Sequence, residues 1–493
     1  MPLLETPEAP KPAPEGGPHD KGGPPASRPY QEWEPDQAEL LPARVREVLG
    51  EDHLVCFFLD LRSVLKFDAV LASDKSDAGR PGYHPVMMTL LLMYAYSQRI
   101  HSSREIERRC ATDLAFRYLT GGARPDHDTI CAFRKTHLAA FKQLFVETVR
   151  LAQEAGLAQL GHIAIDGTKL QANASKHKAM SYGRMGGATA RLKGEIEKLL
   201  SEVEAIDAEE SRRFGKKRGD ELPAPLRDPK ERARQLREAR RSLDLQAERQ
   251  RKQELVEEKT RRVAQIEKAK SALEQAEQEK AAAQEPAQTP EQKPVPDDKA
   301  QRNFTDPESR ILHKRGGEFV QGYNAQIAVE AGSQIIVGEF VTQAANDKNL
   351  LAPMVAQVIA NTGLAPEQLS ADSGYLSQAD VQSVEARGIE AFVAAGRQKH
   401  GEPRPRPTGR VPATATWTQL MERKLRTVRG RATYALRKVT VEPVFGQIKE
   451  ARGFRRFSMR GLAKVAGEFS LVCAIHNLVK LWRLSAAALA LPA

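Results

Sequence analysis

Two aspartates in this sequence stand where short apolar segments end. Asp166 ends the first segment and Asp372 the second, and a glycine follows each within two positions. Such segments predict buried strands, and a carboxylate at a strand's carboxyl end lies where open α/β sheets build their sites. The third candidate is Glu442, at the expected start of a helix with Pro443 in its first turn.

Three carboxylates that meet repel one another unless cations lie between them. Hard cations such as Mg²⁺ prefer carboxylate oxygen, and two of them about 3.5–4 Å apart can activate a nucleophile and stabilise a leaving oxygen in phosphoryl displacement. This is the chemistry that cuts and joins nucleic-acid backbones. Each carboxylate alone is weak evidence, because an Asp before Gly is usually a turn residue and a Glu at a helix start usually stabilises the helix dipole.

Basic residues are concentrated around the third carboxylate. The segment 396–439 holds twelve Lys or Arg and two acidic residues, so its charge of +10 nearly equals the +11 of the whole chain. Within it, the Pro-rich part, 403–412, is expected to be a solvated loop. Beyond Glu442, phosphate contacts are expected from Lys449, Arg452, Arg455 and Arg456. Lys169, in the polar segment after Asp166, is a further candidate for DNA contact.

The N-terminal third of the sequence has two parts. Residues 1–38 are rich in Pro and Gly and are expected to form a disordered tail. Residues 39–155 predict short helices with interleaved basic residues, among them Arg134, which fits a helical DNA-binding domain of the helix-turn-helix kind. A plain helical bundle with a solvated basic face explains the pattern equally well.

Residues 187–299 differ from their surroundings and are interpreted as a coiled-coil insertion and linker. Apolar residues recur every three or four positions, as on the seam of a coiled coil. The break at 212–229 predicts two helices, the second from about 229 to 284, that fold back as an antiparallel hairpin. An intermolecular coiled coil is the alternative. The Pro/Gln-rich stretch 285–299 is the linker.

The remaining segments, 160–186 and 300–484, predict one α/β domain. Strand patterns at 162–168, 322–330, 334–341, 368–372 and 390–394 alternate with helical patterns at 350–362 and 377–387. A mixed sheet with flanking helices, interrupted after its first strand, fits this order. Asp347 is interpreted as the N-cap of the helix at 349–361 rather than as a site residue.

The composition argues against a secreted or a membrane protein. The chain has 493 residues, and its longest strongly apolar run, Pro85–Tyr96, is too short to span a bilayer. The first 35 residues lack the pattern of a signal peptide, and the four cysteines form no C-x-x-C pair. A basic cytoplasmic protein is expected, with nucleic acid as its leading partner.

Four strings, in this order, resemble the DDE transposases of bacterial insertion sequences. They are AIDGTK at 164–169, YNAQ at 323–326, ADSGY at 371–375 and VEPVFGQIK at 441–449. The nearest resemblance is to insertion-sequence family 1182, whose N-terminal domain the helical region with His84-Pro85 and Phe133-Arg134 also resembles. The similarity covers about 40–185 and 300–484, and four strings in order are more specific than any one of them.

The resemblance implies a ribonuclease-H-like catalytic fold in which Asp166, Asp372 and Glu442 bind two Mg²⁺ or Mn²⁺ ions. Related families carry a Tyr-Arg-Glu-Lys signature with two, three and six intervening residues. Here Tyr434, Arg437, Glu442 and Lys449 have two, four and six between them. Lys449 therefore fits the signature, whereas the extra residue before the glutamate departs from it. By the same resemblance, Tyr434 and Arg437 are candidate DNA contacts.

The resemblance also implies a reaction and its partners. The protein would bind the terminal inverted repeats of its element, cleave a strand at the element's end, and join the freed 3′-hydroxyl to target DNA. A homodimer on DNA, in a bacterial cytoplasm and associated with the nucleoid, would be expected. Two alternatives remain open: a metal-dependent nuclease that cuts without joining, and a DNA-binding coiled-coil scaffold whose carboxylates are incidental.

Overall fold

The structure is a computed structural model that describes residues 44–72, 82–214, 229–283, 294–314, 317–396, 409–411 and 414–489. The predicted tail, most of the predicted break at 212–229 and most of the Pro-rich loop lie outside these ranges, as does much of the predicted linker. The chain divides into a small unit, Met1–Val48, and a large one, Leu49–Ala493. Helix α1 (Val45–Leu49) spans the boundary between them.

Helices make up the first part of the large unit. They are α2 (Leu54–Asp60), α3 (Asp68–Ala72), α4 (Pro85–Ser97), α5 (Ser103–Thr112), α6 (Leu114–Leu119), α7 (His127–Thr136) and α8 (Leu138–Glu154). α5 and α6 are separate helices because Asp113 ends the first and caps the second, accepting hydrogen bonds from two backbone N–H groups of α6. Their helical character agrees with the prediction, whereas a DNA-binding role stays a prediction.

The central sheet is mixed, as predicted. The strands are β1 (His162–Gln171), β2 (Ala179–Ser181), β3 (Gln301–Asn303), β4 (Arg310–His313), β5 (Phe319–Glu330), β6 (Ile336–Thr342), β7 (Gln368–Ala371) and β8 (Glu390–Val393). β5 pairs antiparallel with β1 on one side and with β4 and β6 on the other. β7 and β8 continue the sheet parallel to β1, while β2 and β3 form a separate two-stranded ladder.

Two long helices follow the β2 strand. α9 (Tyr182–Phe214) and α10 (Pro229–Ala283) pack against each other. Lys193 of α9 pairs with Glu267 of α10, whereas Asp207, further along α9, pairs with Arg249, which comes earlier in α10. The helices are therefore antiparallel, as the hairpin interpretation expects. The predicted seam is only partly buried, since Leu236 and Leu243 are 64% and 65% exposed, and a coiled coil stays a prediction.

Helices cover the sheet and complete the fold. They are α11 (Leu351–Thr362), α12 (Gln378–Glu385), α13 (Trp417–Arg426), α14 (Val428–Gly446) and α15 (Leu462–Leu489). α15 packs against α8 and β6, and α14 packs across β1 and β7. Among the described helices, only α15 is long and apolar enough to span a membrane, over Leu462–Leu484, and 78% of its apolar window is buried, as in the core helix of a globular fold.

A buried polar cluster ties the N-terminal helices to α15. Arg134 is 4% exposed, and its Nη1 donates to the Tyr96 hydroxyl at 2.6 Å while its Nη2 donates to Ser103 Oγ at 2.6 Å. The Tyr96 hydroxyl in turn donates to Glu468 Oε1 at 3.1 Å, and Glu468 is fully buried. The prediction that Arg134 contacts DNA is therefore wrong for this structure, because its guanidinium is enclosed in the protein.

This cluster predicts that Arg134→Met destabilises the protein. The substitution leaves Glu468 buried without its cation, and breaking a buried charge cluster from one side costs about 3–5 kcal/mol. The free energy of unfolding, measured by urea denaturation, should fall by that amount. The matched control Arg104→Met, at an exposed position of α5, should change it by no more than about 0.5 kcal/mol. Equal stability of the two variants would contradict the structural role of Arg134.

Candidate active site

The two predicted aspartates lie side by side at one end of the sheet. In the parallel pair of β1 and β7, Ile165 is opposite Ala371, so the next residues, Asp166 and Asp372, occupy neighbouring positions. Adjacent strands are about 4.8 Å apart, and the charge of Asp372 acts on Asp166. Each carboxylate also accepts a local backbone hydrogen bond, Asp166 from Gly167 N–H at 2.9 Å and Asp372 from Gly374 N–H at 2.8 Å.

Arg437, on α14, supplies the positive charge at this place. Its Nη1 donates to Asp166 Oδ2 at 2.8 Å, and its Nη2 lies 3.7 Å from Glu442 Oε1. Burial alone would lower the pKa of this guanidinium, but the charges of Asp166, Tyr434 and Asp372 raise it overall. Arg437 therefore interacts with all three predicted carboxylates. Because its side chain is only 9% exposed, the structure makes it an internal counter-ion rather than a free DNA contact.

Glu442 lies inside a helix and not at the start of one, so that expectation is wrong. α14 runs from Val428 to Gly446, and Pro443 lies within it. A proline inside a helix leaves the carbonyl four residues earlier without its usual donor. Here that carbonyl belongs to Val439, and it accepts a hydrogen bond from Gln334 Nε2 at 2.8 Å. Gln334 belongs to the loop between β5 and β6, and its hydrogen bond allows α14 to continue past Pro443. Glu442 therefore lies on the same helix as Arg437.

Burial changes the acidity of Asp166. Its side chain is 18% exposed, and burial raises its pKa to about 6, an effect that Arg437 opposes and the neighbouring charge of Asp372 reinforces. An unpaired carboxylate pair in such a place is unfavourable. Asp166 and Asp372 therefore favour a cation beside them.

Asp347 is a fourth carboxylate in this region, and its interpretation as a helix N-cap is wrong. α11 begins at Leu351, four residues later. The Asp347 Oδ1 atom accepts hydrogen bonds from Asn324 Nδ2 at 2.6 Å and Gln326 Nε2 at 2.7 Å, and Lys169 Nζ is 3.5 Å away. The string YNAQ contains both amide partners, so it was the signal that could have placed Asp347 at the site.

Gly167 is needed because the chain passes close to these amides. A Cβ atom built at Gly167 would lie 2.2 Å from Gln326 Nε2 and 3.0 Å from Asp347 Oδ1. The Gln326 side chain is fixed from the other side by the hydroxyl of Tyr375, which donates to its Oε1. Burial and the charges of Asp347, Asp166 and Asp372 all raise the pKa of Tyr375, so its hydroxyl stays protonated and keeps this bond.

Two predicted DNA contacts lie beside the carboxylates with their amines already engaged. Lys449 Nζ donates to Thr168 Oγ1, on the same strand as Asp166. Burial and the charges of Lys314 and Arg455 lower the pKa of Lys449. Lys169 is half-buried against Asp347. Tyr434 packs its ring 6.0 Å from the Arg437 guanidinium carbon. Contact of these residues with DNA stays a prediction.

The three predicted arginines after Glu442 differ from one another. Arg455 and Arg456 are exposed, and Arg455 pairs with Glu450. Arg452 is 7% exposed and its Nη1 lies 3.3 Å from His476 Nδ1. Burial, together with the charge of Arg483, lowers the pKa of Arg452 to about 10. The prediction that Arg452 contacts DNA is wrong for this structure, because its guanidinium points into the core.

The predicted metal cage is tested by this geometry. Carboxylate oxygen is the donor that Mg²⁺ prefers, so the chemistry of Asp166, Asp372 and Glu442 fits a divalent ion. Within the part of the chain that the structure describes, however, no three His, Cys, Asp or Glu side chains are grouped as a metal site. In this arrangement Arg437 provides the cationic charge among the carboxylates.

Comparison with known proteins identifies two domains. Residues 45–136 match a transposase domain (DUF772), and residues 410–482 match a transposase DDE domain. The second match contains Arg437, Glu442 and Lys449, whereas Asp166 and Asp372 lie outside both matches. No curated protein and no solved structure matches the chain.

The different surroundings of Gly167 and Gly186 predict opposite effects on stability when each glycine is replaced by alanine. Gly167→Ala should lower the free energy of unfolding by about 1–3 kcal/mol, because the methyl group displaces Gln326. Gly186→Ala, in α9 with nothing within 4 Å of its Cβ position, should raise it by about 0.5–1 kcal/mol. Chemical denaturation of both variants measures the two shifts. A Gly167→Ala protein as stable as the wild type would show that the close approach to Gln326 is not real.

Proposed function

We propose that this chain, which carries a transposase domain and a transposase DDE domain, acts as a DDE transposase of an insertion sequence that cleaves and joins DNA at its element's ends. DNA is its substrate class. The finer proposal is that it binds terminal inverted repeats, cuts a strand there and transfers the freed end to target DNA. Membership of insertion-sequence family 1182 stays a prediction.

One observation carries this proposal. Asp166 and Asp372 stand at neighbouring strand ends, and Glu442 shares the guanidinium of Arg437 with Asp166. Three acidic residues spread between positions 166 and 442 of the sequence are thus near one guanidinium or one another. The mixed sheet with flanking helices agrees with a ribonuclease-H-like catalytic domain. A scaffold with incidental carboxylates gives no reason for this convergence or for the burial of Asp166.

We propose that Asp166, Asp372 and Glu442 hold the divalent ions. A bound ion would lower the pKa of its water and stabilise charge on the phosphoryl oxygens. Glu442 is the carboxylate that can move, because its side chain is 47% exposed and its only described partner is Arg437 at 3.7 Å. Arg437 keeps the buried carboxylates neutralised before DNA arrives.

The reaction we propose has two displacements. In the first, a water oxygen forms a bond to a backbone phosphorus and the bond from phosphorus to the 3′ oxygen breaks, leaving a 3′-hydroxyl and a 5′-phosphate. In the second, this hydroxyl attacks a target phosphodiester, and the target's own 3′ oxygen leaves. No covalent bond to the protein forms. Lys449 and Lys169 lie where they can hold the phosphate beside Asp166.

The partners follow from this reaction. Both ends of an element must be held together for joining, so a homodimer on DNA in the bacterial cytoplasm, close to the nucleoid, is part of the proposal. The helices α4 to α8 and the exposed cations Arg455 and Arg456 are the proposed DNA-binding surfaces.

Substitution of the carboxylates tests the catalytic assignment. Asp166→Asn, Asp372→Asn and Glu442→Gln should each lower the rate of strand cleavage at least about 100-fold, since each removes a negatively charged ligand of the reacting centre. DNA affinity, measured by fluorescence anisotropy, should not fall. The control Glu367→Gln, exposed at the start of β7, should cleave normally. Normal cleavage by Asp166→Asn would refute the assignment of Asp166 as a catalytic residue, and absence of cleavage by the wild-type protein would favour the scaffold alternative.

Binding of Mn²⁺ tests the metal assignment without any reaction. In isothermal titration of the protein without DNA, the wild-type protein should bind Mn²⁺. Asp166→Asn and Asp372→Asn should weaken that binding by at least about 10-fold, because each loses an oxygen ligand. Glu367→Gln should bind as the wild type does. Equal Mn²⁺ affinity in all four proteins would refute the assignment of these ligands.

The joining step separates a transposase reaction from simple cleavage. Paired element ends with 3′-hydroxyls, a target plasmid and Mg²⁺ should give plasmid molecules covalently linked to the ends. The 3′-deoxy version of the same ends should give none, because it lacks the attacking oxygen. Cleavage of the ends without any joined product would favour the nuclease alternative.

A further inference from the structure

A basic groove lies at the far end of the strand that carries Asp166. It has a volume of about 630 Å³, and β1 ends in it at Gln171. Gln171 lies five positions after Asp166, which is about 17 Å along a strand. The groove is therefore a different place from the carboxylate site, but the two are joined by one rigid strand. We refer to it as the β1-end groove.

Four cations line the β1-end groove. They are Lys176, Lys178, Arg456 and Arg460, against the single carboxylate of Glu318. Each of the four is exposed, and none forms an ion pair with any residue that the structure describes. The long helices α9 and α10 offer a contrast, because several of their cations, such as Lys193 and Lys252, pair with acidic neighbours. An excess of unpaired cations in a concave surface attracts a polyanion.

The backbone that presents these cations is fixed on both walls. On one wall, Gln171 N–H donates to Arg455 O at 3.2 Å and Phe457 N–H donates to Gln171 O at 2.9 Å, so the segment with Arg456 lies against the end of β1. On the other wall, Asn303 Nδ2 donates to Ser175 O at 2.8 Å just before the turn Lys176–Lys178. The cations are therefore positioned before a ligand arrives.

Further cations connect the groove to the carboxylate site. Lys449 contacts Thr168, two residues beyond Asp166 on β1, and the charges of Lys314 and Arg455 both act on Lys449. Arg455 is the neighbour of Arg456, which lines the groove. Basic side chains, of which Arg455 is paired with Glu450, thus lie between Asp166 and the β1-end groove. Successive phosphates of one DNA strand form a line of negative charge.

An aromatic ring favours nucleic acid over other polyanions. Phe319 lines the groove and is 57% exposed, with its ring held 5.1 Å from that of His313. Surfaces that bind single-stranded nucleic acid combine cations for the phosphates with exposed rings on which bases stack, and on a duplex such a ring can pack against the backbone sugars. An acidic protein segment would use the cations but would have no need for the basic side chains toward Asp166.

We propose that the β1-end groove binds the backbone of the same DNA duplex whose scissile phosphate lies at Asp166. This rests on the proposed function and adds a second anchoring point to it. A separation of about 17 Å corresponds to about five base pairs along a duplex, at 3.4 Å per pair along each strand. The groove would fix the direction in which the DNA leaves the carboxylates.

The test measures how binding depends on salt. A fluorescein-labelled 40-base-pair duplex is titrated with Asp166→Asn protein, so that nothing is cleaved, at several salt concentrations. Adding Lys176→Ala and Arg456→Ala should reduce the slope of log K against log[salt] by about 1.8, since two phosphate contacts are lost. The matched control adds Lys198→Ala and Lys268→Ala on α9 and α10, where two exposed cations are removed, and should leave the slope unchanged.

Each outcome bears on the proposal. An unchanged slope in the groove variant, or an equal reduction in the control, would overturn it. A groove variant that loses affinity for polyglutamate but not for DNA would also overturn it, in favour of an acidic protein partner. Replacement by Gln at the same two positions should give the same reduction, because only charge is removed. If the slope falls as expected while the wild-type protein never cleaves DNA, the groove stands and the proposed reaction fails.

Discussion

The contact between Arg437 and Asp166 is the interaction on which the site depends. The parallel pairing of β1 and β7 forces Asp166 and Asp372 together at their carboxyl ends, and burial makes their shared negative charge costly. The guanidinium, 2.8 Å from Asp166, offsets that cost and also reaches Glu442. Because Arg437 lies among the carboxylates, the described side chains do not form a group of three metal ligands.

Arg437 and Glu442 lie on one helix because α14 continues past Pro443. Gln334 makes that possible, and its own backbone has a φ of 61°, in the left-handed region that costs a non-glycine residue free energy. Its side chain also accepts hydrogen bonds from Gln447 Nε2 at 3.2 Å and Lys480 Nζ at 2.7 Å. A residue with so many partners keeps a strained backbone in place. The turn between β5 and β6 therefore holds both α14 and α15 against the sheet.

Much of this arrangement could be predicted from the sequence, for a physical reason. Strands buried in a sheet show as short apolar runs bounded by turn residues, so β1, β5, β6, β7 and β8 were all predicted near their observed positions. Asp166 and Asp372 followed directly from the ends of those runs. The short strands β2, β3 and β4 were missed because they have at most four residues and lack the apolar run followed by a turn residue that marked β7.

The errors concern side chains whose roles depend on distant partners. Pro443 suggested a helix start, since only the tertiary bond from Gln334 reveals that a helix continues through it. Asp347 suggested a helix cap, because its amide partners lie more than twenty positions earlier. Arg134 and Arg452 suggested DNA contact on charge alone, whereas burial against α15 decides their roles. Sequence reports the charge of a side chain but not which way it faces.

The ladder of β2 and β3 has a consequence for the long helices. Tyr182 N–H donates to Ala300 O at 2.8 Å, so the chain leaves for α9 and returns from α10 at almost the same point. α10 alone, at 55 residues, is about 80 Å long, yet the gap to be bridged in its absence is no wider than a tight turn. The two long helices thus leave and rejoin the fold at one short ladder, and every strand of the central sheet either precedes α9 or follows α10 in the sequence.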